Sequence, residues 1–131
     1  MRLVAVDQGT TSTRSLVINT SGHAQMAASV THQQYYPHNG WVEHDPNELL
    51  DAIKTCISAA GQVDAIGLAN QGESCLAWDA RDKRPLCPVI VWQDNRTADT
   101  VAQLKASGAE SLVQPISGLP LDSYFSASKL G

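Results

Sequence analysis

Four polar stretches of this 131-residue chain carry residue types suited to chemistry. The first is Asp7-Gln8-Gly9-Thr10-Thr11-Ser12-Thr13-Arg14, set between two apolar runs. Gly9 allows backbone geometries that other residues resist, so successive amides can turn the same way. With the hydroxyls of Thr10, Thr11 and Ser12 they can cradle phosphate oxygens. Asp7 can hold a magnesium ion through its waters, because Mg²⁺ gives up its hydration shell reluctantly. Arg14 can set a positive charge against a phosphate. A plain hairpin turn would share much of this composition, but three hydroxyls in a row exceed what a turn requires.

The second stretch is Asn70-Gln71-Gly72-Glu73-Ser74, just after an apolar run over residues 63–69. Strand ends in open α/β sheets are frequent ligand sites. Glu73 can accept hydrogen bonds from substrate hydroxyls, with Asn70 or Gln71 orienting the pocket; a solvated polar loop is the alternative. In the third stretch, Val91-Trp92-Gln93-Asp94-Asn95-Arg96, Trp92 either joins a core or offers a flat face to the carbon side of a sugar or polyol. The fourth is Gly118-Leu119-Pro120-Leu121-Asp122-Ser123-Tyr124-Phe125-Ser126, where Tyr124 can give its hydroxyl to a ligand or simply pack.

The elements that must position these residues read as follows. Strands are expected over residues 2–6, 14–18 and 23–31, joined by turns at 8–12 and 21–22. Connections that short require an antiparallel three-strand meander, since parallel strands need long crossovers. Asp45 is a good N-cap, Pro46 suits the first helical position and Glu48 completes a capping box. Leu49, Ile53, Cys56 and Ala60 recur at helical spacing up to a stop at Gly61. A strand over 63–69 returns to the sheet, and two more are expected over 75–79 and 89–92, flanking the charged turn 81–85. Helices follow over 97–105 and from Asp122 onward. The fold class is therefore α/β, a mixed sheet with helices packed on it.

Composition narrows the function. Hydrophobic residues make up 43% and charged ones 17%, which suits a folded domain rather than a disordered tail. The net charge is -4, and the nine Lys and Arg are scattered, so the basic track of a nucleic-acid binder is missing. No segment approaches the ~20 apolar residues of a membrane span. Cys56, Cys75 and Cys87 form no CxxC pair and are expected as free thiols packed in a reducing cytoplasm. His23, His32, His38 and His44 lack metal-ligand spacing and are expected on the surface or satisfied in the core.

Taken together, residues 7–14, 40–46, 66–74, 89–97 and 118–130 resemble, in the right order, the N-terminal domain of the FGGY carbohydrate kinases, most of all its glycerol kinase branch. Gly40-Trp41-Val42-Glu43-His44-Asp45-Pro46 is the most telling stretch, since no general rule demands that string. The resemblance implies an actin-like, ribonuclease H-like ATPase domain, with ATP and substrate held between it and a second domain. It implies ATP and Mg²⁺ as cofactors, with Asp7 near the metal and Gly9, Thr10, Thr11, Ser12 and Arg14 on the nucleotide phosphates. A small sugar or polyol would meet Glu73, Trp92 and Tyr124.

The resemblance also implies two departures. Gly72 stands where that branch has an arginine bonding the glycerol hydroxyls, and glycine cannot make those bonds, so a longer polyol or a sugar is expected. The catalytic base and the adenine pocket fall beyond residue 131, so residues 1–131 are expected to be an N-terminal fragment, inactive alone, with apolar surface open to self-association. Two rivals remain. One is a sugar- or nucleotide-binding module of the same fold without chemistry. The other is a ribonuclease-H-like nuclease, which would need clustered carboxylates for two metals.

Overall fold

β1 (Arg2–Gln8) alternates strictly, burying Val4, Val6 and Gln8 on one face of a sheet. β2 (Ser12–Asn19) lies antiparallel to it with Val4 opposite Val17 and Val6 opposite Ser15. β3 (Ala24–Thr31) continues the meander, with a bulge between Ser15 and Leu16. β5 (Ala65–Asn70) then pairs with β1 in parallel, giving the order β3-β2-β1-β5. These elements belong to a computed structural model that describes residues 1–130; Gly131 lies outside the described residues.

Between β3 and β5 the chain forms α1 (Pro46–Ala60), which supplies the long crossover that a parallel pair needs. Its ends are set by local chemistry. The Asp45 carboxylate accepts the Asn47 N–H, Pro46 opens the helix, and Gly61 closes it at φ 68°. Glu48 does not close the expected capping box. Its carboxylate accepts the Gln33 N–H at 2.9 Å, which ties the end of the meander to the helix. The helix buries Leu49, Ala52, Cys56 and Ala60, and Cys56 and Ala60 meet Val4 and Val6. Thr13 and Ser15 are also fully buried on that face, and the Cys56 thiol lies 3.4 Å from the Thr13 carbonyl.

The chain divides into two units. Met1–Gln34 and His44–Gly72 form the first; Tyr35–Glu43 and the chain from Glu73 onward form the second. The second unit holds β6 (Val89–Ile90), which pairs with β4 (Glu43–His44), together with α2 (Ala98–Ala106), α3 (Glu110–Ser117) and a 3₁₀ turn, Ser126–Lys129. Several expectations fail here. Residues 75–79 form isolated bridges, Cys75 to Ile90 and Trp78 to Pro85, rather than a strand. Pro85 and Pro88 remove ladder donors from the opposite arm. The strand expected over 89–92 ends at Ile90, because the Val91 and Trp92 N–H groups turn to the Val42 carbonyl and the Ser74 hydroxyl. From Asp122 the chain makes a turn held by the Asp122 carboxylate before the short 3₁₀ turn, not a helix. α3 was not expected, since it carries Pro115 and buries no side chain.

The second unit is organised around Asp94, which is fully buried. Its carboxylate accepts the Val42 N–H at 2.7 Å and a paired contact from Arg96 at 2.9 Å, while the same guanidinium reaches Glu43 at 2.7 Å. Arg96 also stacks 3.8 Å above the Trp41 ring. Burial pushes the Asp94 carboxyl up, but the Arg96 and Val42 donors outweigh it and hold the group below its usual range. Removing one partner of a buried pair leaves a charge unmatched and costs about 3 kcal/mol. Asp94→Ala should lower the stability of the second unit by that order, read as an earlier urea midpoint in the fluorescence of Trp41, Trp78 and Trp92, which all lie in that unit.

In the first unit His32 and His44 are buried with their rings 5.0 Å apart, edge to face. Burial, and then His32, lower the His44 pKa to about 4, against an opposing pull from Glu48. Burial lowers His32 as well, against the Gly9 carbonyl and Glu48. A histidine with a lowered folded pKa stabilises the fold fully above its unfolded value, and that stability is lost as pH falls towards the folded value. The thermal midpoint of the first unit should therefore drop between pH 6.5 and pH 4, and His44→Phe should flatten that slope.

Candidate nucleotide and substrate sites

The sequence-derived nucleotide residues fall in the first unit with Gly72, and Glu73, Trp92 and Tyr124 fall in the second. The nucleotide set is Asp7, Gly9, Thr10, Thr11, Ser12 and Arg14. The turn is tighter than expected, because Ser12 and Thr13 already belong to β2, leaving Gly9 to Thr11 between the strands. The Gly9 N–H donates to the Ser12 carbonyl at 3.0 Å and closes it. A Cβ on Gly9 would sit 3.1 Å from that same carbonyl oxygen, tighter than ordinary side chains tolerate, which accounts for glycine here.

The turn's carbonyls are held by the first unit's own side chains. The Gly9 oxygen accepts from Gln8 Nε2 at 2.8 Å and faces His32 Nε2 at 3.1 Å and Gln71 Nε2 at 3.5 Å. The Thr10 oxygen accepts from Gln34 Nε2 at 3.1 Å, and the Thr11 oxygen from the His32 N–H at 3.3 Å. In a trans peptide the C=O and the following N–H point opposite ways. Donors from the first unit thus fix the two peptide planes that carry the Thr10 and Thr11 N–H groups. Two adjacent amides aimed together are the start of an anion-binding concavity.

Asp7 and Arg14 stand opposite one another on β1 and β2, both exposed. Neither side chain enters a hydrogen bond or ion pair among the described residues, so both charges face solvent uncommitted. With Ala5, Leu16, Met26 and Gly67 they line one open cavity of about 530 Å³ on the sheet face away from α1. Among the described residues no group of three His, Cys, Asp or Glu side chains could hold a metal. A magnesium ion would therefore depend on phosphate oxygens and water, with Asp7 in an outer role, and the single exposed carboxylate fits that arrangement.

Gly72 ends the first unit. Its backbone is outside the left-handed region, and a Cβ there would meet nothing within 4 Å, so the position has room for a side chain. Glu73, the next residue, has φ 60°, a conformation that non-glycine residues adopt at some cost. Its carboxylate accepts from the Ser126 N–H at 3.3 Å and lies 3.5 Å from the Ser126 hydroxyl. It thus caps the start of the 3₁₀ turn, a task the sequence did not reveal.

Trp92 and Tyr124 do come together, their rings 5.7 Å apart and edge to face, with Phe125 5.1 Å from Tyr124. Tyr124 remains 41% exposed, so its ring is available to a ligand. Lys129 is a residue the sequence reading missed. Its ammonium donates to the Val91 carbonyl at 3.1 Å and the Tyr124 carbonyl at 3.3 Å, clasping the segments that carry both aromatic rings. A lysine near a chain end carries no spacing signal that would have found it.

Comparisons with known proteins bear on the fold and the family. The family model for the FGGY family of carbohydrate kinases, N-terminal domain, matches residues 2–131. A glycerol kinase of Aromatoleum aromaticum is 44% identical, with 98% of this chain aligned to 27% of that protein. Among solved structures, glycerol kinase of Plasmodium falciparum with ADP superposes at a TM-score of 0.85 and 27% identity, over 98% of this chain and 28% of that one. A ligand-bound xylulose kinase of Lactobacillus acidophilus superposes at 0.91 and 25% identity, again over 98% and 27%. The chain thus spans about a quarter of the length of the relatives it matches. The mixed sheet with its packed helices is the actin-like ATPase fold of those kinases, and this chain belongs to the FGGY family of carbohydrate kinases, as its N-terminal domain.

Proposed function

We propose that this chain forms the N-terminal part of a longer ATP-dependent carbohydrate or polyol kinase, which moves the γ-phosphate of ATP to a substrate hydroxyl. The observation that carries the reading is the turn after β1. Its Gly9, Thr10 and Thr11 carbonyls are taken by donors of the first unit, and Asp7 and Arg14 stand exposed opposite one another beside it. Phosphoryl transfer asks a protein mainly for positioning and charge stabilisation, and these groups supply both. The Thr10 and Thr11 amides and the hydroxyls of Thr10, Thr11 and Ser12 would orient the phosphates, with Arg14 offsetting their charge. Magnesium, when bound with the nucleotide, would neutralise the charge that develops during transfer.

On the substrate side, Trp92 and Tyr124 would stack against the carbon face of a sugar or polyol, and Glu73 would accept hydrogen bonds from its hydroxyls. Gly72 leaves open space, which favours a substrate larger than glycerol. The base that accepts the substrate proton, and the adenine pocket, would come from residues outside 1–131. Three free thiols suit a reducing cytoplasm, where we place the protein. Among the described residues no helix is long and apolar enough to cross a membrane.

ATP consumption by the full-length protein should appear with one sugar or polyol from a panel of glycerol, longer polyols, pentoses, ketoses and hexoses. Gly72→Arg should improve glycerol turnover by about tenfold, the worth of one charged hydrogen bond of roughly 1.5 kcal/mol. Residues 1–131 alone should turn over nothing. Silence across the panel with ATP still bound would replace this reading with a non-catalytic binding module.

A further inference from the structure

The Gly9 carbonyl sits at one end of a buried polar network whose hydrogens can be assigned from the partners. His32 Nε2 lies 3.1 Å from the Gly9 oxygen. A carbonyl can only accept, so His32 must carry its hydrogen on Nε2 and leave Nδ1 bare. Gln71 Nε2 lies within 3.5 Å of the same oxygen and 3.4 Å from His44 Nδ1. The first contact requires the amide nitrogen rather than its oxygen at that place. The second then requires His44 Nδ1 to accept and His44 Nε2 to carry the hydrogen.

The remaining two ring atoms, His32 Nδ1 and His44 Nε2, are both buried and without a partner. By the assignment above one is a bare acceptor and the other a donor. They sit on adjacent rings with centroids 5.0 Å apart. Buried polar groups are rarely left unmatched, and each such loss costs about 1–3 kcal/mol. Two orphans of opposite character on neighbouring rings complete one another, either directly after a small ring rotation or through one bridging water.

We propose that Gln71, His44 and His32 form a single directed hydrogen-bond chain that ends on the Gly9 carbonyl. The two histidines are then positioning residues for the phosphate-binding turn, and they link it to the segment that presents Gly72. The role as a phosphate-positioning device rests on the nucleotide reading above; the chain of hydrogens does not. Burial favours the neutral form of both imidazoles, against the Gly9 carbonyl at His32 and the charge of Glu48 on α1, as the chain requires. A protonated ring at either place would present two donors and break the direction of the chain.

Nitrogen NMR of the 131-residue chain with ¹⁵N-labelled histidine tests the inference first. Both His32 and His44 should appear as neutral Nε2–H tautomers. An Nδ1–H tautomer or an imidazolium at either ring near pH 7 would overturn the chain. In the full-length protein, His32→Phe should weaken ADP binding about tenfold, the loss of one such bond. His32→Gln, which keeps a donor, should recover most of it. Equal ADP affinity for wild type and His32→Phe would overturn the positioning role. If the wild type bound no ADP, the nucleotide reading and the positioning role would fall together, while the tautomers would still decide the hydrogen-bond chain.

Discussion

A carbonyl oxygen taken out of water must be matched by donors, and in the first unit this requirement centres on Gly9. Three side chains converge on its oxygen from β1, from the end of the meander and from the end of β5. Because a peptide is planar, holding that oxygen also sets the direction of the next amide. The parallel β1–β5 pairing brings Gln8 level with Asn70, so Gln71 arrives beside the turn as a consequence of register. α1 makes that register possible by carrying the chain across, and Glu48 on the same helix anchors Gln33 just past His32. Sheet topology, helix and turn are thus joined through a few polar contacts rather than through apolar packing alone.

The second unit follows the same logic with a charge. Asp94 is buried only because Arg96 and the Val42 amide surround it, and Arg96 in turn uses Glu43 and the Trp41 ring. This explains a string that looked arbitrary. Gly40, at φ 78°, gives its carbonyl to the Asn95 N–H; Trp41, Val42 and Glu43 each hold Arg96 or Asp94; His44 enters the first unit's buried network; Asp45 and Pro46 start α1. Each residue from 40 to 46 has a separate physical task, which is why the string is more specific than any one of its letters.

That division also shows what could be read in advance. Helix α1 and the meander were legible because their signals are local: Asp45, Pro46 and Gly61 act within one turn, and the alternation of β1 is visible in four residues. The second half was less legible because its determinants are distant or negative. Pro85 and Pro88 cut the expected strand at 75–79, and the ties of Trp41 and Glu43 to Arg96 span more than fifty positions. At the candidate sites, residue types pointed to the turn at 7–14 and to the Trp92–Tyr124 pair. They did not show that Glu73 caps the 3₁₀ turn, that Lys129 clasps two carbonyls, or that His32 and His44 lie buried with unmatched nitrogens.

The most direct measurement is a structure of the full-length protein with ADP and Mg²⁺. The account predicts that the β-phosphate lies against the Thr10 and Thr11 amides, with Arg14 within hydrogen-bond reach and Asp7 meeting the metal through water. Phosphates bound elsewhere, with the Gly9–Ser12 turn unliganded, would contradict it.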